Sequence, residues 1–125
     1  MNRIIDEPDD SAVLCRPDDS AHRVATRPKA ASAEVIARAA GMLGAAGDPA
    51  RLRLLELLAA GERCVSDIAT TTGDAMPTVS QRLQLLRREG LLRSRRDGKH
   101  VFYALADAHV LELIDNVLRH AAEGS

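Results

Sequence analysis

Phe102 and Tyr103, side by side, are the only Phe, Tyr or Trp residues in a chain of 125. A core built almost without rings must come from Leu, Ile, Val and Ala, which points to helices packed on helices. The same scarcity argues against readers of RNA or single strands, which stack bases on aromatic platforms. The length suits one domain. No apolar run approaches the roughly 20 residues of a membrane span, and Met1–Asp10 is acidic where a signal peptide is apolar. We therefore expect a cytoplasmic protein with neither a membrane nor an RNA partner. Cys15 and Cys64 are too few for a disulfide scaffold, so a thiol or metal role is the better expectation for them.

The formal net charge of −1 hides a strong segregation. Residues 1–20 hold Asp6, Glu7, Asp9, Asp10, Asp18 and Asp19 against Arg3 and Arg16. Residues 78–100 hold Arg82, Arg87, Arg88, Arg93, Arg95, Arg96 and Lys99 against Glu89 and Asp97. Residues 104–125 turn acidic again, with Arg119 alone opposing Asp107, Glu112, Asp115 and Glu123. A basic stretch of this kind invites a polyanion, and an acidic one a cation.

Residues 1–31, punctuated by Pro8, Pro17 and Pro28, read as a mobile acidic arm, and residues 32–125 as the folded domain. Ser32 is an N-cap, with Val35, Ala39 and Met42/Leu43 at helical spacing behind it. Gly41 and Gly44 offer that helix a small-residue face. Asp48-Pro49 opens a second helix with Leu52, Leu55 and Leu58 inward, stopped by Gly61. A short helix runs from about Cys64 to Thr72 and ends at Gly73. Another runs from Pro77 to Glu89 with Val79, Leu83 and Leu86 inward. After Gly90 the period changes: Leu92–Arg96 and His100–Leu105 read as strands around an Asp97-Gly98 turn of type I′. Asp107 caps a last helix with the stripe Val110, Leu113, Ile114, Val117 and Ala121. The expected fold is mainly α with a small β-hairpin, a winged helix-turn-helix.

In that layout the helix Pro77–Glu89 enters the major groove of duplex DNA. Its outward residues include Thr78, Ser80, Gln81, Arg82 and Arg88. Gln suits adenine edges, Arg suits guanine, and Ser or Thr suits bases or phosphates. The hairpin adds Arg95, Arg96 and Lys99 near its tip. Any solvated helical domain can show a basic face; the ordered helix-turn-helix followed by a wing is what points to DNA.

The last helix also carries Asp107, His109, His120 and Glu123. His109 and His120 are eleven positions apart, which returns them to within about 20° on the helical wheel. Two imidazoles and two carboxylates suit Zn²⁺, with Cd²⁺, Co²⁺ or Pb²⁺ as further candidates. Eleven residues also rise about 16 Å, so one helix cannot close both ends on one ion. Two copies paired antiparallel across a two-fold axis can, with Asp107 and His109 of one subunit meeting the other pair from its partner. A second candidate set joins Cys64 and Asp67, one turn apart, to Cys15 and to His22 or Asp18/Asp19 from the arm, a thiol set suited to softer ions. Cys64 can equally be an ordinary small core residue.

These residues carry a resemblance. From Asp48 to Glu123 the sequence resembles the ArsR/SmtB family of bacterial metal-sensing repressors, most of all its SmtB zinc-sensing branch. The family's opening DP-x-RLRLL-x-LL stands at Asp48–Leu58, its Cys-Val-x-Asp-[Leu/Ile]-Ala segment at Cys64–Ala69, and its Val-Ser-x-x-Leu core at Val79–Leu83. The wing motif is Gly98–Tyr103, and the terminal signature falls on Asp107, His109, His120 and Glu123. The resemblance implies a homodimer through the first and last helices. It implies binding to operator DNA when metal-free and release on metal, derepressing genes of metal efflux or sequestration. Ser66 stands where arsenic-sensing members place a second cysteine, which points away from arsenic. Met76-Pro77 replace the polar residues that usually open the recognition helix.

Three other readings compete. A redox switch would join Cys15 and Cys64 in a disulfide. A zinc hydrolase would use His109 or His120, but four filled ligand positions leave none for water, and an enzyme is not expected. A purely structural helical dimer leaves the basic wing unexplained.

Overall fold

Short polar side chains set three of the five helix starts. Ser32 Oγ accepts from the Val35 N–H at 3.2 Å, Asp48 Oδ2 from Arg51 at 3.1 Å, and Asp107 Oδ1 from Val110 at 3.1 Å. Each satisfies an N–H that has no acceptor within its helix, worth about 0.5–2 kcal/mol. The computed structural model describes residues 29–124. Their order is α1 (Ala33–Ala46), α2 (Pro49–Ala59), β1 (Arg63–Cys64), α3 (Val65–Thr72), α4 (Met76–Arg88), β2 (Leu92–Asp97), β3 (His100–Leu105) and α5 (Ala108–Glu123). Cys15, His22 and the rest of the expected arm up to residue 28 lie outside the described residues.

The core is aliphatic, as the missing rings require. Leu54, Leu55 and Leu58 of α2, Ile68 of α3, Val79, Leu83 and Leu86 of α4, and Ile114 of α5 converge in it with Leu91 and Leu92. Each such side chain contributes about 1.5–3 kcal/mol on leaving water. The stripe on α2 differs from the expected one, because Leu54 is buried while Leu52 is only partly covered. Packing against α4, α5 and β3 gives α2 a wider apolar arc than one face supplies.

The expected stripe of α1 is divided: Met42 packs on the core and Ala39 is half-buried, while the other two members face outward. Val35 is 43% and Leu43 58% exposed, and burial falls instead on Ala45 and Ala46 in the last turn. Gly41 does allow a close approach, since a Cβ there would meet Glu89 Oε1 at 2.6 Å; Gly44 has open space around it. The stripe of α5 divides similarly: Val110 and Ile114 are buried, whereas Val117 is 45% exposed.

Gly73 ends α3 with φ +78, a left-handed cap that suits glycine, and α4 follows after two further residues. That pair is the helix-turn-helix. The antiparallel sheet has the order β1-β3-β2. Its middle strand pairs Cys64 with Phe102, and Asp97 with His100. The turn residues are therefore Gly98 and Lys99, one position later than the expected Asp97-Gly98, with Gly98 at φ +61. Both primed turns need positive φ at that first central position. The two-residue β1 is too short to announce itself by period.

Candidate nucleic-acid interface and metal centre

The outer side of α4 carries Thr78, Gln81 and Arg88 exposed and Ser80 half-buried. Arg82 is held aside: its Nη1 donates to Asp74 Oδ2 at 3.0 Å, tying the helix to the turn before it. Gln84 Nε2 donates to Ser80 Oγ at 3.4 Å. Sequence reasoning misses Gln84 and Arg87, yet they share one cleft with Ser80, Arg88 and Arg96. The spacing at 80, 84, 87 and 88 is a helical face, and that periodicity is the signal that could have found them.

The three basic residues of the wing have different surroundings. Arg95 forms a two-pronged bridge to Glu62, Nε to Oε2 at 2.9 Å and Nη2 to Oε1 at 2.8 Å. Its guanidinium lies 4.4 Å from the centroid of the Phe102 ring. The hydrogen bond from Arg95 holds the Glu62 carboxyl below the ordinary carboxylate range, and Glu62 in turn raises Arg95. Arg96 and Lys99 are exposed, and neither has a carboxylate within ion-pair distance among the described residues.

Asp107 and His109 come together at the start of α5, with His109 Nδ1 3.6 Å from Asp107 Oδ1. The His109 side chain is 93% exposed. His120 and Glu123, also exposed, stand at the other end of the same helix. Among the described residues of one protomer, no three His, Cys, Asp or Glu side chains gather as a metal site would require.

Cys64 is the N-cap of α3, half-buried, with its Sγ 3.3 Å from Ser66 Oγ. The Ser66 hydroxyl, followed by the Asp67 backbone N–H, favours the thiolate and holds Cys64 below the ordinary thiol range. The thiol lines a groove of about 540 Å³ with Met76, Pro77, Lys99 and His100. Asp67 does not line that groove; Arg63 Nη1 lies 3.8 Å from its Oδ2. Cys15 and His22, the remaining members of this thiol set, fall outside the described residues, as does one partner of the expected disulfide.

A helix-turn-helix followed by a β-hairpin wing, with bases along both, defines a winged helix-turn-helix regulator. The family described as "Bacterial regulatory protein, arsR family" matches residues 48–94. The chain is 38% identical over 97 residues to the transcriptional repressor SmtB homolog of Synechocystis sp., covering 78% of this chain and 74% of that one. It is 35% identical over 80 residues to a cadmium resistance regulatory protein CadC homolog of Staphylococcus aureus, 63% and 66% of the two chains. A homodimeric winged helix-turn-helix DNA-binding domain from Mycobacterium bovis, a possible ArsR-family regulator, superposes with a TM-score of 0.71. That domain is 36% identical, over 80% of this chain and 92% of its own. The chain belongs to the ArsR/SmtB family of transcriptional repressors. No described helix is long and apolar enough to cross a membrane.

Proposed function

We propose that this protein is a cytoplasmic, homodimeric repressor that holds operator DNA when metal-free and releases it on binding zinc. The ion sits between Asp107 and His109 of one subunit and His120 and Glu123 of the partner subunit, twice per dimer. The observation that carries this reading is the Asp107–His109 pair. Its 3.6 Å separation is close to the edge of a tetrahedron with zinc bonds of about 2.0–2.1 Å. One edge is half a ligand set, and the other half is an α5 length away. The outward Val117 on α5, with Val35, Ile36 and Leu43 on α1, supplies an apolar face for antiparallel pairing with a second copy. A relative named for cadmium resistance fits a response to metal, and a homodimeric neighbour fits pairing with a second copy.

Zinc needs only to fit the dimer form of low DNA affinity better than the form that fits the operator. Couplings of this kind are commonly about 1–3 kcal/mol. A subunit-mixing experiment tests the shared site. His109→Ala and His120→Ala homodimers each lose tight zinc binding. Heterodimers with one variant subunit of each kind regain one intact site. Heterodimers that bind no zinc tightly, beside a wild type that binds two ions, would overturn the shared site.

A further inference from the structure

The pleat of β2 and β3 gives neighbouring arginines opposite surroundings. Arg95 pairs with Phe102 in the ladder and lies on the face bridged to Glu62. Arg96 pairs with Val101, on the face that looks toward α4. There it lines a cleft of about 400 Å³ with Arg87, Arg88, Ser80 and Gln84, walled by Val101 and Tyr103.

Of the other described arginines, Arg53, Arg63, Arg82 and Arg95 are paired with Glu56, Asp67, Asp74 and Glu62. Arg51 donates to the Ala45 carbonyl and Arg119 to Asn116, while Arg38 and Arg93 stand singly on other parts of the surface. Among the described residues, no carboxylate stands within ion-pair distance of Arg87, Arg88 or Arg96. Three uncompensated guanidinium groups, a hydroxyl and an amide around one cleft suit an anion with several oxygens. The cleft lies between the helix that enters the major groove and the wing beside it. We infer that it seats a backbone phosphate of the DNA strand passing between α4 and the wing, with Arg87, Arg96 and Gln84 as positioning residues. Arg95 then belongs to the wing's own structure. Such contacts fix the register of the protein on the duplex and carry no sequence information themselves.

This inference rests on the DNA-binding reading, and one titration separates the two. The full-length protein is bound to a fluorescent 30-base-pair duplex of mixed sequence across potassium chloride from 50 to 200 mM. Each neutralised phosphate adds about 0.9 to the slope of log affinity against log salt. The double variant Arg87→Gln/Arg96→Gln should flatten that slope by about 1.8 per dimer, because each subunit then leaves one phosphate with its counterions, and each single change should flatten it by part of that. Arg93→Gln, exposed on the opposite face of β2, should leave it unchanged. All three positions are on the surface, and thermal melting confirms that each variant is folded. A wild-type slope in the double variant Arg87→Gln/Arg96→Gln overturns the seat, as does equal flattening by Arg93→Gln. A wild type that binds no duplex in a salt-dependent way overturns the DNA-binding reading itself.

Discussion

Glu62 decides what Arg95 can do. The bridge at 2.8 and 2.9 Å, with Phe102 beneath the guanidinium, ties the wing to the start of β1 and offsets the charge that Arg95 would offer a phosphate. Glu62→Gln should loosen the wing and free Arg95. Because the folded Glu62 is shifted down, its stabilisation is present above the ordinary carboxylate pKa and lost as pH falls through the folded value. Melting temperatures of wild type and Glu62→Gln should therefore differ at neutral pH and converge in acid. Cys64 offers a second check at this scale. In a Cys15→Ser background, Ser66→Ala should move the onset of iodoacetamide alkylation of Cys64 to higher pH, since the hydroxyl is the largest cause of its lowered pKa. An unmoved onset would remove Ser66 from that role.

Among the elements, α3 and α4 depend on the turn between them. Gly73 at φ +78 has open space for a Cβ, so Gly73→Ala meets backbone strain alone and should cost about 1–2 kcal/mol in denaturant unfolding. This turn was legible because glycine after Thr72 ends a helical run with a known backbone demand. Asp48-Pro49, Asp107 and the buried triplet Val79, Leu83 and Leu86 were legible for similar local reasons. β1 was not, because two residues make no period and its pairing with β3 is a tertiary choice. Nor was the division between Arg95 and Arg96, which needs the register of the hairpin and a carboxylate 33 positions earlier. Of the histidine set, only Asp107 and His109 approach each other within one chain.

At the scale of the molecule, α1 and α5 present apolar side chains that their own core does not take up. Ile36 is 57% exposed and Val117 45%. Ile36→Glu or Val117→Glu should leave the monomer fold intact and shift sedimentation toward the monomer, with loss of tight zinc binding in the same samples. A dimer that survives both changes would place the interface elsewhere. The double duty of α5 has a further consequence. Val110 and Ile114 anchor it in the subunit's core, while the exposed Val117 is the side chain that the proposed pairing assigns to a second copy, so in that arrangement tertiary and quaternary structure meet in one helix. Mass action then governs the fold as well as the assembly, and the melting temperature rises with protein concentration. Dilution of the repressor in a cell, through growth or slowed synthesis, weakens each remaining copy as well as reducing their number.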